Sequence, residues 1–149
     1  MKNIREKLIP LFKQGYCTPQ IAVLAKKIKE PATTIHYNIK KMEEEGTIKA
    51  YKAVFNYNNI NQGYCTYILI NLNQEHYGNP DEVARALAKD ERVESVDVCT
   101  GDYELLVKFR SKDINEYYEF IKTTVKKHGC GKVVSLASLK QFKTEFVEV

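Results

Sequence analysis

Apolar residues recur at helical intervals along the first third of the chain. Ile4, Leu8, Leu11 and Phe12 predict a first helix running to about Gln14, with Gly15 as its stop and Pro10 as a weak point inside it. Thr18 and Pro19 read as the N-cap and first residue of a second helix whose apolar stripe is Ile21, Leu24, Ala25 and Ile28. A Lys29-Glu30 connection leads to a third helix over 31–45, with Ile35, Ile39 and Met42 as its buried stripe and Gly46 as the C′ residue. The period then changes, and residues 48–55 alternate well enough to predict a strand. Two short helices joined by a brief turn and followed by a strand predict a winged helix-turn-helix.

A different pattern follows. Residues 56–63 carry no charge, are rich in Asn and end in Gly, the composition of a linker or turn. Residues 64–73 are rich in β-branched and aromatic side chains and predict a strand. Asn79, Pro80, Asp81 and Glu82 make a helix start, with Val83, Ala84, Leu87 and Ala88 at helical spacing behind it. Residues 93–100 and 103–110 predict two strands joined in a tight hairpin at Gly101-Asp102. Ser111 reads as the cap of a helix carrying Ile114, Tyr117, Tyr118, Ile121 and Val125 and stopped by Gly129, and residues 132–142 predict a last strand. The order β-α-β-β-α-β is the ferredoxin-like arrangement. The expected fold class is α+β: a winged helix-turn-helix over 1–55, a linker over 56–63 and a ferredoxin-like module over 64–149.

Composition adds exclusions. With 44% hydrophobic and 28% charged residues the chain is not a disordered one. The uncharged stretch 53–74 has the length of a membrane span, but its six Asn and two Gln are too costly in hydrocarbon. The N-terminal apolar run is too short for a signal-peptide core, and Cys17, Cys65, Cys99 and Cys130 are widely spaced, so the expectation is a cytoplasmic protein with four reduced thiols. His36, His76 and His128 are equally scattered, and neither a metal site nor a cofactor is expected.

Charge separates the two modules. Residues 1–55 hold eleven Lys and Arg against five Asp and Glu, a net of +6, whereas residues 56–149 hold twelve against fourteen, a net of −2. A basic module joined to a mildly acidic one implies different partners, the first a polyanion. The outer face of the third helix presents Thr33, Thr34, His36, Tyr37, Lys40 and Lys41, and Lys26, Lys27 and Lys29 lie beside the turn before it. Such hydroxyls, rings and cations reach base edges and phosphates in a major groove; a Lys-rich helix face that is merely solvated is the bland alternative. Residues 101–109 loosely echo the base-stacking strand of RNA-recognition modules, but Leu105 stands where a second aromatic is needed and the module is net negative. No nucleophile elbow, phosphate-cradling loop or supported carboxylate pair is present, so no catalytic residue is assigned.

Residues 34–51, running from the recognition helix through Glu43-Glu44-Glu45 into Gly46-Thr47-Ile48-Lys49-Ala50-Tyr51, and residues 100–106, Thr-Gly-Asp-Tyr-Glu-Leu-Leu, resemble two motifs of the Lrp/AsnC (feast/famine) family in its order and spacing. The resemblance covers nearly the whole chain. It implies a transcriptional regulator of double-stranded DNA that dimerises through its second module, assembles into larger oligomers and responds to an amino acid or related metabolite. It implies DNA contact at Thr33, Thr34, His36, Tyr37, Lys40 and Lys41, to which the cationic cluster beside the turn adds Lys26 and Lys27, and effector contact at Thr100, Gly101, Asp102, Tyr103 and Glu104, with Ser135 and Ser138 on the last strand. The chain departs from the family pattern at Tyr37 and Asn38, where Arg is common, at Glu30 before Pro31, and at Glu104 in place of Asp. A second reading keeps the metabolite-binding oligomer and gives the helix-turn-helix to protein contacts.

Overall fold

Local hydrogen bonding at the helix ends organises the first part of the chain. The computed structural model describes residues 4–73, 79–145 and 147–148, so His76 lies outside the described residues. The chain divides into two compact units, Met1–Val54 and Phe55–Val149. The first holds α1 (Ile4–Lys13), α2 (Ile21–Ile28) and α3 (Ala32–Glu44). α1 continues through Pro10 and closes with Tyr16 N–H on the Leu11 carbonyl (3.0 Å) and Gly15 N–H on that of Phe12 (3.2 Å). Gly15 sits at φ +91°, and a Cβ there would lie 2.8 Å from the Tyr51 carbonyl oxygen.

The start of α2 differs from the expectation. Thr18 and Pro19 precede the helix, and Gln20 is its N-cap because its carbonyl accepts from both Val23 and Leu24 N–H. Lys29 turns the chain at φ 57°, its N–H returning to Ala25, and Pro31 at ψ 142° opens α3. At the far end of α3, Gly46 N–H bonds Glu43 and Ile48 N–H bonds Met42.

The predicted stripes are only partly covered. Among the described residues of this unit Ile35 alone is buried; Ile9, Phe12, Leu24 and Ile39 are half-buried, and Ile4, Leu8, Leu11, Ile28 and Met42 are exposed. Residues 48–56 form no strand. A strand needs a hydrogen-bonded neighbour, and this segment instead anchors to α3, with Tyr51 donating to Glu43 at 2.6 Å.

The second unit is a four-stranded antiparallel sheet in the order β2-β3-β1-β4, made of β1 (Tyr64–Leu72), β2 (Val93–Val98), β3 (Leu105–Ser111) and β4 (Cys130–Ala137). Ile68, Ile70, Leu72, Leu105, Val107 and Phe109 alternate onto one face and pack with Val83 and Leu87 of α4 (Pro80–Leu87) and Phe120 of α5 (Ile114–Phe120). Phe109 and Phe120 stack at 4.1 Å, capped by the Arg92 guanidinium, which Asp90 and Glu116 hold in place.

Several boundaries differ from those expected. Asp113, not Ser111, caps α5, accepting from Asn115 and Glu116 N–H at 3.0 Å. The helix then widens into a π-helical turn over Ile121–Val125 and a 3-10 turn over Lys126–His128 before Gly129. Ile114 and Tyr118 are exposed, whereas Val125 is buried as expected and Phe120 joins it in the core. The β2–β3 connection is a wider loop, closed by Cys99 N–H on the Glu104 carbonyl (2.8 Å), rather than a tight turn at Gly101-Asp102. β4 ends at Ala137, and after a last bond from Ser138 N–H to β1 residues 139–142 leave the sheet before a small hairpin of β5 (Lys143–Thr144) and β6 (Val147–Glu148). The segment expected as a linker contains a 3-10 turn, Tyr57–Ile60, and the Tyr57 ring lies 3.5 Å from the Arg110 guanidinium of β3.

Candidate nucleic-acid interface and effector hairpin

The helical period places Thr33, Tyr37, Lys40 and Lys41 away from Ile35 and Ile39 on α3, with His36 on the flank beside Ile39. All eight of the DNA-facing candidates, Lys26, Lys27, Thr33, Thr34, His36, Tyr37, Lys40 and Lys41, are exposed, Tyr37 by 66%. Two of the cations are engaged along the helix: Lys40 pairs with Glu44 at 3.8 Å and Lys41 with Glu45 at 3.7 Å. The Asn38 amide folds back to donate to the Thr34 carbonyl at 2.8 Å. The hydrogen bond to Glu43 raises the Tyr51 phenol above its ordinary value and ties the chain after α3 to that helix. An open depression of about 520 Å³ runs between Thr18, Ile21, His36, Lys40 and Glu43.

In the second unit the loop 99–104 leaves Thr100, Gly101 and Asp102 exposed and Tyr103 and Glu104 half-buried. The loop is fixed against the end of β1. Glu104 Oε2 accepts from Leu72 N–H at 2.7 Å, and the Asn71 side-chain amide donates to the Asp102 carbonyl at 2.9 Å. The Lys132 ammonium stands 5.8 Å from the Tyr103 ring centre. Glu104 is thereby engaged with the backbone, leaving the exposed Asp102 as the carboxylate that faces outward.

Within one chain the two serines lie elsewhere. Ser135 pairs with Ile68, four residues (about 13 Å) along β1 from Leu72, and accepts a hydrogen bond from the Tyr117 hydroxyl. Ser138 is farther still, its N–H on the Cys65 carbonyl.

The sequence reading missed a charged cluster on the face of the sheet away from the helices. Lys108 and Arg110 are each less than 10% exposed and both bond Glu94, Lys108 at 2.9 Å, while Gln141 accepts from Arg110 and Thr144 from Lys108. Burial works to raise the Glu94 carboxyl, but the hydrogen bonds and charges of Lys108 and Arg110 prevail and hold it below its ordinary value. The available signal was Lys108 and Arg110 alternating with Val107 and Phe109 on a strand. All four cysteines are free thiols; burial raises Cys65 and pushes Cys130 up to about 11, so both stay protonated at neutral pH. Among the described residues no helix is long and apolar enough to cross a membrane.

A basic three-helix unit with an open helix face, joined to a ferredoxin-like sheet unit, defines the class of helix-turn-helix proteins that carry a separate sheet module. Residues 65–147 match the Lrp/AsnC ligand binding domain. An HTH-type transcriptional regulator of Pyrococcus abyssi is 32% identical over 126 residues, 84% of either chain. The structure of an AsnC family transcriptional regulator from Agrobacterium tumefaciens superposes with a TM-score of 0.74 at 23% identity, covering 97% of this chain and 94% of that one. A feast or famine regulatory protein from M. tuberculosis, complexed with L-methionine, gives 0.74 at 16% identity over 85% and 84%. The chain belongs to the Lrp/AsnC family and is a transcriptional regulator of the helix-turn-helix type.

Proposed function

We propose that the protein binds duplex DNA in the cytoplasm as a homodimer or larger assembly, without catalysing a reaction, and that an amino acid or related metabolite sets its assembly and DNA occupancy. The observation that carries the reading is that Thr33, Thr34, His36, Tyr37, Lys40 and Lys41 of α3 and Lys26 and Lys27 of α2 are all exposed in a unit of net +6 over residues 1–55. Lys26, Lys27, Lys40 and Lys41 meet phosphates, and Thr33, Thr34, His36 and Tyr37 meet base edges. Assembly is supported by the apolar side chains that β4 and the segment after it leave in solvent: Leu136 is 57% exposed, Phe142 71% and Leu139 fully. The L-methionine bound by the M. tuberculosis relative supports an amino-acid effector. Thr100, Gly101, Asp102 and Tyr103 would receive it, Glu104 would brace the loop, and Ser135 and Ser138 would come from a neighbouring copy.

The test is a duplex titration at several salt concentrations. With roughly 3–5 phosphate contacts per protomer, a dimer gives a log–log salt slope of about −5 to −9. Lys40→Ala with Lys41→Ala flattens that slope. Binding and slope unchanged by the double substitution would remove α3 from the interface.

A further inference from the structure

Sequence is read in the major groove by a small chemical vocabulary. Arg or Lys makes paired bonds to guanine, Asn or Gln to adenine, and an apolar group meets the thymine methyl. α3, Ala32–Glu44, contains neither Arg nor Gln. Of its three remaining members of the paired-bond set, Asn38 is bonded to the Thr34 carbonyl, and Lys40 and Lys41 stand in the second half of the helix in loose, solvent-exposed pairs with Glu44 and Glu45 at 3.8 and 3.7 Å. Using any of them on a base edge first breaks an existing contact.

The opposite holds for the first two turns of the helix, the part that a recognition helix inserts deepest. Ala32, Thr33, Thr34 and Tyr37 are all exposed, and the side chains of Thr33 and Tyr37 have no partner among the described residues. Thr33 and Tyr37 stand one turn apart on the same side. Together these four residues present three methyl groups, one aromatic ring and three hydroxyls, with no fixed charge; His36, exposed in the same turns, adds one imidazole on the flank beside Ile39. Hydroxyls bond either donors or acceptors and discriminate little, so the selective part of this edge is its apolar part. The thymine C5-methyl is the apolar group that the major-groove edge offers in return.

We propose that α3 reads its half-site through thymine methyls, which Ala32, Thr33, Thr34 and Tyr37 cover, and that no guanine is required at the positions under these two turns. This rests on the DNA-binding reading above and names the class of duplex: half-sites with thymines placed on the face that α3 meets. The lysines supply phosphate attraction from the helix's second half, where exchanging a Glu for a phosphate keeps them paired.

The experiment uses the full chain and a duplex selected from a random pool, then the same duplex with dU replacing dT one position at a time. That exchange removes one methyl and leaves the pairing edge intact. Burying a single methyl-sized group corresponds to about a fourfold change in affinity. A loss of about that size is expected at one or more half-site positions. Thr33→Ser keeps the hydroxyl and deletes only the methyl, so it should bind the dT and dU duplexes equally at its own position; Tyr37→Ser should do the same at another. Tight binding of every dU duplex, or dU penalties that persist undiminished in both variants, would overturn the proposal while leaving DNA binding intact. Persistent penalties would mean that duplex shape is read instead. Failure to bind any duplex would overturn the DNA-binding reading itself and this inference with it.

Discussion

Glu94 sits at the irregularity where β2 slips against β3, between Val93 paired with Phe109 and Ser95 paired with Lys108. The bulge aims its carboxylate across the strand, so one oxygen receives Lys108 and the other Arg110. Two buried cations depend on one carboxylate, and removing that partner leaves both charges uncompensated. Glu94→Gln is therefore expected to cost about 3–5 kcal/mol at neutral pH. The folded carboxyl lies below its ordinary 4.5, so its contribution is complete above that value and disappears as pH falls through the folded one. Urea unfolding of both proteins from pH 7 to pH 3 checks this: wild type loses stability below about 4.5, and the difference between the two narrows over the same interval. A constant difference across that range would remove Glu94 as the acid-sensitive group. The sequence showed these three charges in strands, but not that a bulge would bring them together.

At the scale of an element, the β2–β3 loop shows how secondary contacts divide labour between acids. Glu104 is fastened to Leu72 N–H and Asn71 grips the Asp102 carbonyl, which holds the loop while the Asp102 side chain stays in solvent. Gly101 turns the loop at φ +106° with no atom within 4 Å of where a Cβ would stand. Gly101→Ala should thus lose about 1–2 kcal/mol from backbone strain alone, without a steric clash. Asp102→Asn should leave the melting temperature of the free protein unchanged and abolish any stabilisation by amino acids, because it removes the charge opposite an α-ammonium group. A thermal-shift screen of the twenty amino acids on wild type and both variants reads the two effects separately. A hit that stabilises Asp102→Asn equally would place the effector elsewhere. The position of this loop was legible from Thr100-Gly101-Asp102, whereas the engagement of Glu104 was not, since Leu72 is thirty-two residues away.

For the whole molecule, the apolar core is unevenly shared. The buried cluster of Ile68, Ile70, Leu72, Leu105, Val107, Phe109 and Phe120 lies entirely in the second unit, while the first unit buries Ile35 alone among its described residues. A unit of about fifty residues needs most of its apolar surface covered to offset chain entropy. Residues 55–149 expressed alone should fold and self-associate, and residues 1–54 alone should be monomeric with weak, non-cooperative helicity. Circular dichroism on heating and light scattering on each fragment test this. A sheet fragment that remains monomeric at high concentration would count against assembly through this unit, and Leu136→Asp should weaken assembly without unfolding it.

What the sequence determined by itself is what depends on neighbours a few positions apart. Gly15, Gly46 and Gly129 end helices because a positive φ is needed there. Asn79-Pro80 starts one, and the periods of 3.6 and 2 set the order of elements. The exposed set on α3 was legible for the same reason, since one buried Ile35 fixes which way the rest of the helix points. Only the tertiary structure decided matters that rest on distant partners. It exposed Ile4, Leu8, Ile114 and Tyr118 despite their helical spacing, and buried Phe120 against Phe109. It left 48–55 without a strand, because pairing requires a second backbone. It committed Glu104 to Leu72 and Glu94 to Lys108 and Arg110. Periodicity identifies an apolar face, but burial is a property of whatever arrives to cover it, and a carboxylate's role depends on which donor the fold brings within reach.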